Sequence, residues 1–236
     1  MQLTLGDVTV EVVLKDIKNV HLSVYPPTGR VRISAPARME LETIRLFALS
    51  KLDWIRAQRR KIRAQLREPE REYVERESHY VWGERYLLEV HEHPAAPRVE
   101  LSHKVLRLWV KPGAAPDARA ALLEAWYRDR LREAALPLIA AWQARLQVEV
   151  ESLVVRRMKT RWGSCTPARR SIRLNTDLAK KPSVCLEYVV VHELMHLLEP
   201  SHNHRFVSLM DEHLPNWAAY RDELNRLPVR HESWKV

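Results

Sequence analysis

The sequence predicts an α+β protein, and two patterns of apolar residues carry this prediction. Short runs in which apolar and polar residues alternate, as they do in half-buried strands, recur through residues 1–115. Apolar residues at helical spacing dominate from residue 116 onward, with a few short strand-like runs between them. We therefore expect a β-rich N-terminal portion, residues 1–115, that includes one basic helix, and a core at residues 116–236. The two portions can equally form one continuous domain.

The N-terminal portion contains several predicted strands. Apolar residues alternate with polar ones over Val8–Leu14. The runs 20–25 and 31–34 flank a Pro-Pro-Thr-Gly sequence, which predicts a hairpin because proline and glycine supply turn geometry. A second hairpin is predicted to turn at Gly83, and alternation within 99–110 predicts a third.

Two long helices are predicted as well. Apolar residues recur at helical spacing from about Glu40 to Leu66, and arginines crowd the other faces of this helix at Arg56, Arg59, Arg60, Arg63 and Arg67. This basic helix either lies on phosphates or presents an ordinary solvated face. A further helix is predicted from about Asp117, and Pro137 should kink or split it because proline lacks a backbone N–H.

The last third combines short strands with one strongly apolar helix. Strands are predicted at 150–155 and 171–175, and Pro182-Ser183 is typical of a helix start. The following run, 184–198, is apolar nearly all round, with four polar exceptions: Glu187, His192, Glu193 and His196. Such a helix is buried, so these residues need partners or a chemical role.

Composition limits the class of protein further. The chain has 236 residues, 46% of them apolar and 29% charged, which is typical of a globular protein. No apolar run approaches the roughly 18–20 residues that a membrane span needs, and the first residues do not resemble a secretory signal. With two cysteines only, we expect a protein of the reducing cytoplasm that does not bind membranes. Five isolated glycines exclude the nucleotide-binding GxGxxG and P-loop motifs.

The apolar helix carries an HExxH motif, His192-Glu193-Leu194-Met195-His196. Residues four apart lie on one face of a helix, so both imidazoles can bind one metal ion. Glu193 then lies beside them, where it can accept a proton from water. The alternative is a pair of hydrogen-bonded core histidines, which is disfavoured because burying these polar groups without a ligand is costly.

A catalytic zinc site usually has a third protein ligand. Pro200 is expected to end the helix, which lets a later residue turn back toward the metal; the candidates are Glu199, His202, His204, Glu212 and His213. His202 gives the spacing HExxHxxxxxH of the metzincin pattern, but Glu199 replaces the glycine of that pattern, so the turn must form differently. On spacing alone, His202 and His204 both remain candidates.

Several segments together resemble the YgjP-like family, a bacterial group of zinc metallopeptidases related to SprT-like proteases. The resemblance is strongest over about residues 150–225 and rests on the segments 157–165, 172–175, 188–196 and 202–206. Ungapped comparison with the family pattern HELCHLxxxNHSxxF implies that His202 is the third ligand. Met195 replaces the usual cysteine, and Ser201-His202-Asn203 replaces the usual Asn-His-Ser.

The resemblance implies a zincin-like metallopeptidase core with the HExxH motif on its active-site helix. We expect Zn²⁺ bound by His192, His196 and His202, with Glu193 as the general base that activates water for cleavage of a peptide bond. The oxyanion donor stays open among Arg161, Tyr188 and Arg205. By analogy with other zincins, residues 172–175 are the candidate strand that holds an extended substrate.

The two cysteines are expected to be structural. Cys165 has no partner cysteine at zinc-site spacing, which favours a small buried residue over a ligand or nucleophile. Cys185 falls within the apolar helix.

Two other functions remain open at this point. Members of the family are also described as nucleotide (UTP-type) pyrophosphatases, and the net charge of +9 would favour an anionic substrate. Three imidazoles nevertheless favour zinc over the magnesium that such sites use. A DNA-associated protease of the SprT-like kind is the other possibility, with the basic helix as its sole support. The expected partner is a peptide or protein substrate, and oligomeric state is not predicted.

Overall fold

A mixed α+β architecture, as the sequence predicts, is found in a computed structural model of the chain. The structure describes residues 1–25, 28–64, 68–159 and 161–228. Within these ranges, none of the helices combines the length and the apolar character that crossing a membrane requires.

The chain divides into two units, Met1–Glu68 and Pro69–Leu227, described below as the first and the second unit. The expected division at residue 115 therefore falls inside the second unit. The reason is a shared core: Leu106 and Leu108, which precede residue 115, belong to the same cluster of buried side chains as the helix that follows it.

The first unit contains a four-stranded sheet in the order β1-β2-β4-β3. Its strands are β1 (Gln2–Leu5), β2 (Val8–Lys15), β3 (His21–Tyr25) and β4 (Arg30–Pro36). Antiparallel pairing of β3 with β4 confirms the first predicted hairpin, although Pro26 and Pro27 of its turn lie outside the described residues. Alternate residues of β2 and β4 are buried on one face of the sheet, as the alternation predicted.

The basic helix predicted from Glu40 is two helices, α1 (Leu41–Ser50) and α2 (Leu52–Ala64). The Ser50 hydroxyl donates to the Phe47 carbonyl at 2.8 Å, and the Lys51 N–H bonds to the Ala48 carbonyl in a tightened turn. Such local side-chain bonds compete with the helical pattern and separate the two helices. Three residues at the end of the predicted helix lie outside the described residues: Gln65, Leu66 and Arg67.

Three arginines of α2 contact their own unit. The Arg56 guanidinium pairs with the Asp7 carboxylate at 2.6 Å, and Arg59 donates to the Asp7 carbonyl. Arg63 donates to the carbonyl of Thr28. Part of the positive charge of the predicted basic helix is therefore used in contacts within the first unit.

The second unit begins with another four-stranded sheet, in the order β5-β6-β8-β7. Its strands are β5 (Ser78–Val81), β6 (Glu84–Glu92), β7 (Arg98–Ser102) and β8 (Val105–Val110). The predicted hairpin at Gly83 is confirmed, because Trp82 and Gly83 both have the positive φ of a tight hairpin turn. The third predicted hairpin is confirmed by antiparallel pairing of β7 with β8.

The long helix α3 (Pro116–Leu146) packs against the core of the second unit. Pro137 does not split α3, which runs on for nine residues beyond it. Pro137 has no N–H to donate to the carbonyl of Glu133, four residues earlier. Both residues are exposed, so water can bond to that carbonyl instead.

A second sheet and three helices complete this unit. The sheet has the order β10-β11-β9 and contains β9 (Ser152–Arg156), β10 (Gly163–Thr166) and β11 (Ser171–Asn175). Short 3₁₀ helices follow β10 and β11 at Pro167–Arg169 and Thr176–Lys180. The remaining helices are α4 (Ser183–Met195), α5 (His204–His213) and α6 (Trp217–Arg226).

Helix α4 ends earlier than predicted. Its apolar residues are buried, but the helix stops at Met195 and does not continue to Leu198 or end at Pro200. The N–H groups of Leu197 and Leu198 bond to carbonyls only three residues back, so the chain tightens and leaves the helix.

Candidate metal centre

Three histidines lie together where α4 ends. His192 is in the last turn of α4, His196 directly follows the helix, and His202 lies in the turn before α5. Their ligand atoms all lie within 4.8 Å of one another, and the Nε2 atoms of His192 and His202 are 3.0 Å apart. Two nitrogens bound to one tetrahedral zinc ion at 2.0–2.1 Å are about 3.3 Å apart, so this spacing is close to that of a metal site.

The other third-ligand candidates are not in this group. Among the described residues, His204 opens α5 and its Nδ1 is 3.4 Å from the Ser208 hydroxyl. Neither Glu212 nor His213 joins the three histidines either. Glu199 has a different role, described below.

The protonation of the imidazoles suits a metal ion. The Nδ1 of His196 donates to the Glu199 carbonyl at 3.2 Å, and a carbonyl can only accept, so Nε2 keeps its lone pair. Burial lowers the pKa of His192 to about 4, helped by the neighbouring His196 and His202, so its imidazole is neutral at pH 7. The three residues could therefore hold a divalent metal ion, and a set of three imidazoles fits zinc.

The turn between the second and third histidines is built by side chains. The Glu199 carboxylate accepts the Ser201 N–H at 3.1 Å and the Ser201 hydroxyl at 2.8 Å. Both bonds lower the pKa of Glu199 below its ordinary value, and the bond from the backbone N–H has the larger effect. A carboxylate and a serine thus form the turn that a glycine forms in the metzincin pattern.

Phe206 packs against all three imidazoles, and the sequence reasoning did not assign it a role. Its ring centroid is 5.0 Å from that of His192, 4.9 Å from His196 and 4.8 Å from His202. The Asn203 side chain caps α5 by accepting the Phe206 N–H at 3.0 Å, which fixes where this ring enters the core. The only signal in the sequence is the position of a phenylalanine four residues after His202.

Glu193 is buried beside the histidines, against strand β10. Burial raises its pKa to about 7, while Arg161 and a hydrogen bond from the Cys165 backbone N–H act in the opposite direction. A Cβ added at Gly163 would lie 2.6 Å from Glu193 Oε1 and 2.8 Å from its Cγ. Only glycine therefore lets β10 approach this carboxylate so closely.

A cavity of 590 Å³ joins these groups. Its lining includes His192, Glu193, His196 and His202, and it extends along the segment 161–165 to Tyr188. Two of the three candidate oxyanion donors, Arg161 and Tyr188, line the cavity, whereas Arg205 does not. Burial raises the pKa of Tyr188 to about 12, so its hydroxyl keeps its proton at neutral pH.

The two cysteines differ in their surroundings. Cys185 is buried in the core, as expected. The expectation that Cys165 is buried is wrong: it is partly exposed and lines the cavity. Burial of its sulfur still raises the pKa of this thiol to about 11, which opposes a nucleophilic role.

The strand beside the cavity is not the one that the sequence suggested. Residues 172–175 belong to β11, which pairs with β9 and β10 and so has no free edge. In the described part of the chain, β10 is an outer strand of this sheet, and its residues Gly163, Ser164 and Cys165 line the cavity. Strand β10 is thus the one whose backbone is placed to meet a ligand.

Glu187, the remaining polar residue of the apolar helix, has a structural partner. Its carboxylate accepts a hydrogen bond from the indole N–H of Trp142 on α3 at 3.1 Å. The bond joins α4 to α3 away from the histidines.

Comparisons with known proteins identify the family of the chain. A family model described as the YgjP-like metallopeptidase domain matches residues 18–227. No curated protein sequence matches the chain. Jannalysin, a metallopeptidase zymogen of Methanocaldococcus jannaschii, is 19% identical with a TM-score of 0.35, covering 38% of this chain and 86% of its own. Abylysin, a metallopeptidase zymogen of Pyrococcus abyssi, is 17% identical with a TM-score of 0.36, covering 38% of this chain and 90% of its own. Because the family model spans most of its length, the chain belongs to the YgjP-like metallopeptidase family.

Proposed function

We propose that this protein is a zinc-dependent peptidase in which His192, His196 and His202 hold the metal and Glu193 is the general base. One observation carries the proposal: three imidazoles within 4.8 Å of one another line the same cavity as a buried carboxylate. Burying a carboxylate is costly, and buried carboxylates with a raised pKa cluster at functional sites.

Each residue has a definite part in the proposed reaction. When bound, zinc would polarise the scissile carbonyl and lower the pKa of a coordinated water toward about 7. Glu193 accepts a proton from the attacking water and returns it to the leaving amine. The Tyr188 hydroxyl is the proposed hydrogen-bond donor to the developing oxyanion.

Strand β10 is the proposed binding site for the substrate main chain. Its outer edge lies beside Glu193, and apart from the Cys165 N–H, which already donates to the Glu193 carboxylate, its backbone groups can pair with an extended peptide that adds to the sheet as a further strand. The scissile bond would then lie between this edge and the three histidines.

No specific observation favours the two other functions. A nucleotide pyrophosphatase that uses magnesium needs several oxygen ligands, whereas Glu193 is the one carboxylate among the described residues of the cavity lining. Binding of DNA by α2 is weakened as a hypothesis because Arg56, Arg59 and Arg63 already bond within the first unit.

The proposal is tested by metal analysis together with a hydrolysis assay. Purified protein should contain one zinc ion per chain and cleave members of a peptide mixture, detected by mass spectrometry. The His192→Ala/His196→Ala double variant should lose both properties. Equal metal content in wild type and double variant would overturn the metal site, and hydrolysis of UTP without cleavage of any peptide would overturn the peptidase assignment.

A further inference from the structure

Arg161 lines the cavity and acts on Glu193 through its charge, but its guanidinium forms no ion pair with a described residue. Among the described residues that line the cavity, it is the one lysine or arginine. Its side chain is exposed, and within the described ranges no carboxylate lies at ion-pair distance and no hydrogen bond to its guanidinium is formed. By contrast, Arg221 on α6 pairs with Asp222, and Arg170 pairs with Glu149.

The backbone of Arg161 is nevertheless held in place. The Asn175 side chain, which is 5% exposed, donates to the Arg161 carbonyl and to the Met158 carbonyl, each at 2.9 Å. The same side chain accepts the Asp177 N–H at 3.2 Å, which ties it to the end of β11. Because the backbone is already held, only the mobility of the side chain is lost when the unpaired guanidinium binds a ligand.

We propose that Arg161 binds a carboxylate of the peptide substrate, within one or two residues of the scissile bond. The inference rests on the proposed peptidase function and adds a substrate class to it. Arg161 precedes Gly163 by two residues, which span at most about 7 Å, and Gly163 contacts Glu193 directly. Guanidinium groups bind carboxylates through two parallel hydrogen bonds, so a side-chain carboxylate or the C-terminal carboxylate of a peptide fits this position.

Matched peptides separate these two sources of the carboxylate. The set differs by a single Gln-to-Glu exchange at each position near the cleaved bond, and each peptide is made as a C-terminal acid and as an amide. Wild type should cleave the carboxylate form at one position with a kcat/KM that is roughly 10- to 100-fold higher than for the neutral form. Preference for Glu identifies a side chain, and preference for the acid over the amide identifies the C-terminus.

The variants test whether Arg161 causes the preference. Arg161→Gln should reduce the ratio of acidic to neutral kcat/KM to near one, and Arg161→Lys should restore part of it. Arg169→Gln is the matched control, because it removes the same charge at an exposed position outside the cavity lining. Its ratio of acidic to neutral kcat/KM should equal that of wild type. An Arg161→Gln variant that loses acidic and neutral activity equally would overturn the inference and indicate an oxyanion donor.

Binding measurements distinguish failure of this inference from failure of the proposed function. In the Glu193→Gln background, titration calorimetry should show tighter binding of the acidic peptides, and Arg161→Gln should abolish the difference. If wild type cleaves no peptide but this difference is present, Arg161 is a carboxylate-binding residue and the peptidase proposal fails. If peptides are cleaved and bound without any preference for a carboxylate, the inference fails and the peptidase proposal stands.

Discussion

Gly163 lies against Glu193 so closely that a single added methyl group would lie 2.6 Å from the carboxylate oxygen. Real Cβ atoms essentially never make such a contact with a neighbouring atom. Glu193 and strand β10 can approach each other this closely only because residue 163 has no side chain.

Replacing Gly163 with alanine should therefore displace Glu193 or β10 while leaving the three histidines in place. We expect kcat to fall roughly 10- to 100-fold, because misplacing a reacting group by about 1 Å has effects of that size. Zinc content should not change. Thr166→Ala, at the other end of the same strand, is the control; a Gly163→Ala enzyme with wild-type kcat would contradict the proposed position of Glu193.

The role of Glu193 can be separated from those of the histidines. Glu193→Gln keeps the shape of the side chain and removes the base, so hydrolysis should fall roughly 10²- to 10⁴-fold while zinc is retained. His196→Ala should instead lose zinc. Loss of zinc from both variants to the same extent would show that Glu193 is a ligand.

The choice between His202 and His204 has a direct test in zinc titrations of two single variants. His202→Ala should lose most of its zinc, because a nitrogen only 3.0 Å from that of His192 is removed. His204→Ala should keep it, since His204 is outside the cluster. Zinc loss from His204→Ala and zinc retention in His202→Ala would instead place the third ligand on α5.

The zinc affinity of the wild type should also decrease as the pH is lowered, because protons compete with the metal for the imidazoles.

Phe206 should affect metal affinity without binding the metal. Replacing it with leucine keeps an apolar core residue but removes the ring that contacts all three imidazoles. Zinc affinity should fall roughly 10- to 100-fold, as it does when groups that orient metal ligands are lost. Met210→Leu, one turn further along α5 and equally buried, serves as the control and should bind zinc as wild type does.

His79 should make the second unit sensitive to acid. Burial lowers the pKa of His79 to about 3, with smaller contributions from the charges of Arg71 and Lys180. Between about pH 6.5 and pH 3 the unfolded chain binds a proton that the folded chain does not, so the free energy of unfolding falls as the pH falls. The slope reaches about 1.4 kcal/mol per pH unit and should be absent above that window.

Denaturant unfolding of His79→Leu across this pH range checks the prediction. The variant should lose part of the acid sensitivity, whereas His103→Asn, at an exposed position with positive φ that asparagine tolerates, should keep all of it. Equal pH dependence in wild type and His79→Leu would show that His79 does not remain neutral when folded.

Local patterns explain what could be predicted from the sequence. The hairpin at Gly83 follows from turn residues next to the strands they join, and the cluster of His192 with His202 was expected from spacing and family resemblance. The contact of Gly163 with Glu193 could not be predicted, because it joins residues 30 positions apart through a close approach of backbone to side chain. The sequence also could not predict that β10 is an outer strand, since this depends on the parallel pairing of β11 with β9.

The end of α4 shows a different limit. Apolar residues continue to Leu198, so periodicity favours a longer helix, whereas the observed helix ends at Met195 and a tight turn follows at Leu197. Sequence patterns report which residues are buried more reliably than where a helix stops.

Strand β10 is only four residues long, and Pro167 follows it directly. A proline has no N–H to donate, so it ends the series of backbone donors with which a long strand of another chain could pair. The exposed edge is thereby protected from indefinite pairing with other copies of the protein, which is the usual hazard of such an edge. A peptide bound there would share main-chain bonds over few residues, and its release after cleavage would be correspondingly easy.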